Sequence, residues 1–169
     1  PTLIGKSNLI RSSLLKLKIN ISTIKKNDSM IDHIKGLFEN NGFQIKTDVT
    51  LGDIEIDIIA KKNNQVFIFE CKNSYHPVND FELRNVYAHI DKASKQLEKI
   101  KVKISDPQNR KNLSKKIGFS LYQVDINYAI INSNRIFNGY LNKGYRCISS
   151  HFLSNILQRG FITVNNKKY

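Results

Sequence analysis

The chain has 169 residues, of which 27 are Lys or Arg and 14 are Asp or Glu, giving a formal net charge of +13. This length suits one compact domain, and the positive excess favours a polyanionic partner, with nucleic acid ahead of an anionic membrane. No apolar run approaches the roughly 18 residues needed to cross a bilayer, and two cysteines without CxxC spacing, Cys71 and Cys147, argue against a disulfide framework or a zinc cage.

Part of the charge reflects a composition rich in Asn, Lys and Ile. No signal peptide is recognisable near the start, so a reducing, cytoplasmic setting is the expectation. The first residue is Pro rather than Met, which fits a trimmed start or a piece of a longer chain.

Residues 1–27 read as a basic helical segment, with Leu9, Ile10, Leu14, Leu17 and Ile19 near a helical stripe over 8–19. Residues 28–169 form the remaining domain. A second helix starts near Asp28 or Ser29 and carries Ile31, Ile34, Leu37 and Phe38 on one side; Gly42 closes it in the left-handed position that follows many helices.

From residue 43 the period falls from about 3.6 to 2. "FQIKTDV", "DIEIDIIA" and "QVFIFECK" read as three strands of a meander, with "KKNN" as the second turn. After a loop, Leu83, Val86, Ile90, Ala93, Leu97 and Ile100 define the clearest helix. A loop around "SDPQN" then leads to a strand over 121–131, followed by further strands, a short helix at "HFLSNILQ" and a last strand at "FITV". The fold class is α/β, a mixed central sheet flanked by helices.

The chemistry is concentrated in "GDIEIDIIAKKNNQVFIFECKN", residues 52–73. Side chains alternate along a strand, so Glu70 and Lys72 project together, while Phe67, Phe69 and Cys71 project oppositely. In the preceding strand the same alternation puts Asp53, Glu55 and Asp57 on one face and Ile54, Ile56 and Ile58 on the other. If the strands pair through the "KKNN" turn, the acidic faces converge. Two carboxylates suit a hard Mg²⁺ ion, which can activate water at a phosphodiester while a neighbouring lysine orients or deprotonates that water. The plainer reading is a solvated hairpin face in which Glu70 and Lys72 form an ion pair worth little.

Asp57 in "EIDIIA" followed by Glu70-Cys71-Lys72 in "FIFECK" resembles the motif of the PD-(D/E)xK, or restriction-endonuclease-like, nucleases. The resemblance covers roughly residues 29–102, within a core placed at about 29–131. It implies a restriction-endonuclease-like core and a catalytic group of Asp57, Glu70 and Lys72. It also implies metal binding by Asp57, Glu70 and the Cys71 carbonyl, with Lys72 serving the attacking water. Mg²⁺ is the implied cofactor, with Mn²⁺ substituting.

Ile56 stands where the motif's name has proline. Members often carry a further acid on the first helix; Asp32 and Glu39 are the candidates here, and both read as surface residues. Related nucleases often place a glutamine or lysine on the helix after the motif, reaching toward the metal or phosphate. Gln96 fits that position, with His89, Lys92 and Lys99 on its flank.

Residues 91–116 hold nine Lys or Arg against three acids, and a phosphate-tracking surface that includes Lys92, Lys95, Gln96 and Lys99 is expected. Tyr122, Tyr128, Tyr140 and Tyr145 read as core or cross-strand packing rather than base-stacking residues. His76 and His89 read as surface or loop residues.

The function expected is metal-dependent phosphodiester hydrolysis by an endonuclease, with DNA favoured and RNA, including transfer RNA, open. Size and charge suit a toxin or defence module, with a neutralising protein partner if a toxin. Such nucleases are often dimers, so a homodimer is carried as an expectation although no interface is legible. The rival expectation is a non-catalytic nucleic-acid-binding module of the same fold.

Overall fold

A computed structural model describes residues 29–74 and 76–159, with the backbone of 163–164 and 167–168. Residues 1–27, including the helix expected over 8–19, lie outside the described residues. Helix α1 (Ser29–Asn40) leads into a meander of β1 (Gln44–Leu51), β2 (Ile54–Lys62) and β3 (Gln65–Lys72). Helices α2 (Asp80–Ser105) and α3 (Pro107–Ile117) follow, then β4 (Asp125–Asn132), β5 (Leu141–Asn142), β6 (Tyr145–Ser149) and α4 (Ser150–Gln158). Strands β7 (Thr163–Val164) and β8 (Lys167–Lys168) pair separately.

The six-stranded sheet runs β1-β2-β3-β4-β6-β5. The meander is antiparallel, β3-β4 and β4-β6 are parallel, and β5 returns antiparallel along β6. Fold class is therefore α/β, with a mixed sheet flanked by helices. Among the described residues no helix is long and apolar enough to cross a membrane.

Each face of the sheet has its own core. Helices α2 and α3 cover one, where Ile90, Leu97, Leu113 and Ile117 meet Ile59, Val66, Ile68 and Ile130. Helices α1 and α4 cover the other, where Ile34, Phe38 and Leu153 meet Ile58, Phe67, Phe69 and Ile131. The strictly alternating residues of β3 feed both cores, which is why its sequence reads as an almost unbroken apolar run. Gly42 closes α1 with a φ of 76°, as its lack of a side chain permits.

Local chemistry fixes the ends of α2. Asn79 accepts from Glu82 N at 2.9 Å, and Glu82 Oε2 accepts from Val78 N at 3.0 Å, close to the reciprocal arrangement of a capping box. Expecting a loop around "SDPQN" was wrong. Asp106 ends α2 and caps α3, accepting from Asn109 N at 2.7 Å, while Pro107 occupies the first turn of α3, where its missing N–H costs nothing. Two of the four tyrosines also depart from the core reading. Tyr128 and Tyr145 pack edge to face with ring centroids 6.4 Å apart, but Tyr122 and Tyr140 are exposed.

These two cores set a contrast in side-chain cost. Phe69 is fully buried and packs 5.4 Å from Phe38, whereas Phe81 is 73% exposed. Phe69→Ala is expected to lower unfolding free energy by about 3–5 kcal/mol, and Phe81→Ala to stay within about 0.5 kcal/mol, as read from urea midpoints at equal slope.

Candidate active site

Strand β2 does not keep its pleat. Ile54 and Ile56 pack with Ile59 under α2, while Ile58 and Ala60 join the opposite core, so alternation slips by one between Ile56 and Ile59. Strand β1 slips at the same level: Val49 and Leu51 face α2, yet Ile45 packs against the other core. The slip falls between the pairs Thr47↔Ile58 and Val49↔Ile56, where Asp48 lies across from Asp57 with a φ of 53°. One residue stands between these pairs on each strand, so the register is kept, and the left-handed Asp48 marks the point where both strands change face together. Asp57 is thereby carried onto the α2 face with Ile59. Glu55 is separated from it, so the expectation that Asp53, Glu55 and Asp57 share a face, and Ile54, Ile56 and Ile58 the other, is corrected.

Extending the Ile58↔Phe69 register by one residue puts Asp57 opposite Glu70. The Asp57 carboxylate takes a hydrogen bond from Cys71 N at 2.6 Å, which seats it against the Glu70–Cys71 peptide. Lys72 donates to Glu70 Oε1 at 2.6 Å and to Gln96 Oε1 at 3.0 Å. Gln96 thus reaches the lysine from α2, and the predicted glutamine is found holding a predicted functional residue.

Lys72 is also anchored through its main chain. Its carbonyl accepts from Ser133 N at 3.0 Å. Ser133 Oγ donates to Ser74 O at 2.6 Å and accepts from Ser74 N at 2.8 Å, tying the strand end to β4. Sequence reasoning missed Ser133, because its partner lies 59 positions away and no local pattern marks it. His89 accepts from or donates to Ser74 Oγ at 3.1 Å, so this exposed residue supports the same loop.

The electrostatics are unbalanced. Glu70 is 1% exposed, and its Oε2 is buried without a hydrogen-bond partner. Burial first, then the neighbouring Asp57 charge, push its carboxyl up to about 7, against the pull of Lys72. Asp57 is raised too, by burial above all, with the Cys71 N–H and Lys72 opposing. Lys72 bonds only one of the two carboxylates, Glu70, and acts on Asp57 through its charge alone.

The donor set fits a hard cation. Two carboxylates, one with an orphaned buried oxygen, supply what Mg²⁺ takes from protein when water and phosphate complete its octahedron. Among the described residues no group of three or more His, Cys, Asp or Glu could hold a metal, so a zinc-like cage is not formed.

Other expected residues lie elsewhere. Asp32 and Glu39 are exposed on α1, whose packing face covers the side of the sheet away from Glu70. Asp53 is exposed and pairs with Lys103, and Glu55 is exposed. His76 is exposed, with Nδ1 3.1 Å from Pro77 O.

Lys92, Lys95 and Lys99 are all exposed on α2. Lys92 acts electrostatically on Glu70 and Lys99 on Asp53, whereas Lys95 pairs with Asp91 at 2.8 Å. Some of the basic excess over 91–116 has a structural use. Lys103 donates to Leu51 O at 3.3 Å and Lys116 to Thr50 O at 2.8 Å, pinning the end of β1; Arg110 donates to Ile104 O at 3.0 Å.

No protein-family model matches the chain, and no curated protein matches it. Among solved structures, one described as a protein of unknown function, AF1548, is 16% identical, with a TM-score of 0.36, and the match covers 80% of this chain and 68% of that one. A likeness at that level carries no argument about this protein.

The raised Glu70 carboxyl has a defined pH signature. Its folded value of about 7 lies above the ordinary 4.5, so the native state holds a proton that the unfolded state has lost. Its contribution is therefore favourable at low pH and declines as pH rises between these values, by on the order of 3 kcal/mol. Urea unfolding of wild type and Glu70→Gln should diverge through that window, with wild type losing ground as pH rises; parallel curves would contradict the burial argument.

Proposed function

We propose that the protein is a metal-dependent nuclease of the PD-(D/E)xK kind, with a restriction-endonuclease-like core, that hydrolyses phosphodiester bonds. The observation carrying this reading is the group in which the Cys71 N–H holds Asp57 and Lys72 holds the buried Glu70 while Glu70 Oε2 has no partner. A hydrophobic core gains nothing from leaving a carboxylate oxygen unpaired, whereas a cation site requires one.

Asp57, Glu70 and the Cys71 carbonyl would hold Mg²⁺, with Mn²⁺ able to replace it. Bound there, the ion would polarise the phosphodiester and acidify a coordinated water. Asp57 keeps its orientation through the Cys71 N–H, and Glu70 through the ammonium of Lys72. Lys72, held from the far side by Gln96, has a third hydrogen for the attacking water or a phosphate oxygen. Gln96 is therefore a positioning residue. Lys92 and Lys99 flank this group on α2 and supply phosphate attraction that falls with salt, with Lys95 contributing once freed from Asp91.

DNA is the favoured substrate by the family's general habit, with RNA, including transfer RNA, the alternative within the same chemistry. The strong positive charge suits a toxin or defence module, in which case a neutralising protein would be its partner.

Incubation with plasmid DNA and total RNA in Mg²⁺, Mn²⁺ or EDTA is the direct test. Metal-dependent cutting is expected, with rates falling about 100-fold or more in Glu70→Ala and Lys72→Ala. Gln96→Ala should reduce the rate about 10-fold while leaving affinity for nucleic acid nearly unchanged. Retained binding without cutting would instead identify a nucleic-acid-binding module.

A further inference from the structure

Helix α2 has two working flanks. His89 and Gln96 turn toward the end of β3, where they bond Ser74 and Lys72. Asp91 and Ser94 turn toward β5: Asp91 pairs with Lys143 at 3.0 Å, and Ser94 Oγ donates to Asn142 O at 3.3 Å. Tyr87, one turn before Asp91, stands on this second flank, away from the carboxylate group.

There Tyr87 meets two rings of the 133–140 loop. Its centroid lies 6.1 Å from that of Phe137 and 6.2 Å from that of Tyr140, and Phe137 and Tyr140 are 5.6 Å apart. Interplanar angles of 53°, 61° and 57° keep the three rings inclined to one another, so parallel stacking within the group uses up no ring face. Phe137 packs against the core under α2 and anchors the group, while Tyr87 and Tyr140 are 44% and 40% exposed. The loop is pinned to β6, with Gly139 N donating to Cys147 O and Cys147 N to Tyr140 O, each at 2.8 Å. A hydrogen bond between Tyr87 and Tyr140 joins the two halves. Clustered rings held outward differ from the scattered apolar residues of an ordinary surface.

Charge and edge length decide what covers them. A second copy would bring +13 against +13. The neighbouring sheet edge, β5, has two residues, too few to seat an added protein strand. Cations stand beside the rings instead: Arg84 is exposed three positions before Tyr87 on α2, and Asp91 is answered twice, by Lys143 and by Lys95 at 2.8 Å. Aromatic faces with positive charge alongside suit a polyanion that carries π-faces of its own.

We infer that Tyr87, Phe137 and Tyr140 form a stacking platform for the unpaired bases of single-stranded nucleic acid. Every base has a π-face, so the platform tolerates sequence, whereas bases paired and stacked inside a duplex have no free face to offer it. This binding does not require cleavage at the Glu70 group.

The test is fluorescence anisotropy in EDTA with an end-labelled single strand of about 12 nucleotides and an abasic strand of the same length, which keeps the phosphates and lacks the bases. The base-bearing strand is expected to bind about tenfold tighter or more. Tyr87→Ala and Tyr140→Ala should each weaken its binding about tenfold while leaving affinity for the abasic strand unchanged; that unchanged affinity also reports an intact fold. Tyr140→Phe, which keeps the ring, should bind as the wild type does. Equal affinity for the two strands, alanine variants that bind the base-bearing strand as tightly as wild type, or no binding by the wild type would overturn the platform. A dimer in sedimentation velocity that Tyr140→Ala dissolves would assign the rings to a second copy and overturn it as well. Absence of metal-dependent cutting would count against the nuclease reading and leave these expectations as they stand.

Discussion

Two carboxylates, the half-buried Asp57 of β2 and the buried Glu70 of β3, meet the ammonium of Lys72 at the end of β3, and the surrounding structure holds that imbalance in place. A buried acid without full pairing tends to take up a proton, as the elevated Glu70 carboxyl shows. The alternatives that ordinarily remove such strain are absent from its immediate bonds: Glu70 Oε1 has Lys72, but Oε2 has no partner. Gln96 competes for the same ammonium rather than adding a second cation. The site is built short of positive charge inside a protein that carries +13 overall.

Holding that group requires rigidity from both layers. The apolar residues of β3 commit the strand to two cores, so neither Glu70 nor Lys72 can swing away without disturbing Ile68 or Phe69. Helix α2 supplies Gln96 from its flank while its seam of Ile90, Ala93 and Leu97 stays buried. Ser133 closes the arrangement by joining the chain after Lys72 to the end of β4. The charged cluster thus rests on apolar packing, and several basic residues outside it hold backbone carbonyls, among them Lys103 and Lys116 at the end of β1 and Arg110 at Ile104.

Much of this frame was legible in the sequence because it depends on local periodicity. Helix α1, the meander, the long helix and the shared direction of Glu70 and Lys72 follow from spacing alone. The slip at Asp48 and Asp57 was not legible, since nothing in "TDVT" or "EIDI" announces that paired strands change face together. Yet the slip is what carries Asp57 to the same side as Glu70. Helix α3 was hidden by Pro107, which reads as a break until Asp106 is recognised as a cap. Gln96 stood out as a polar flank, but its bond to Lys72 spans 24 positions and belongs to tertiary structure.

The central claim is that Asp57 and Glu70 form a divalent-cation site whose vacant negative charge is partly masked by a proton. Calorimetric titration with Mn²⁺ at pH 7 in two buffers of different ionisation enthalpy measures both parts at once. The account predicts saturable binding that releases protons, because burial and the Asp57 charge raise the Glu70 carboxyl to about 7, and loss of both signals in Glu70→Gln. Binding of equal strength in that variant, or no binding in the wild type, would contradict it.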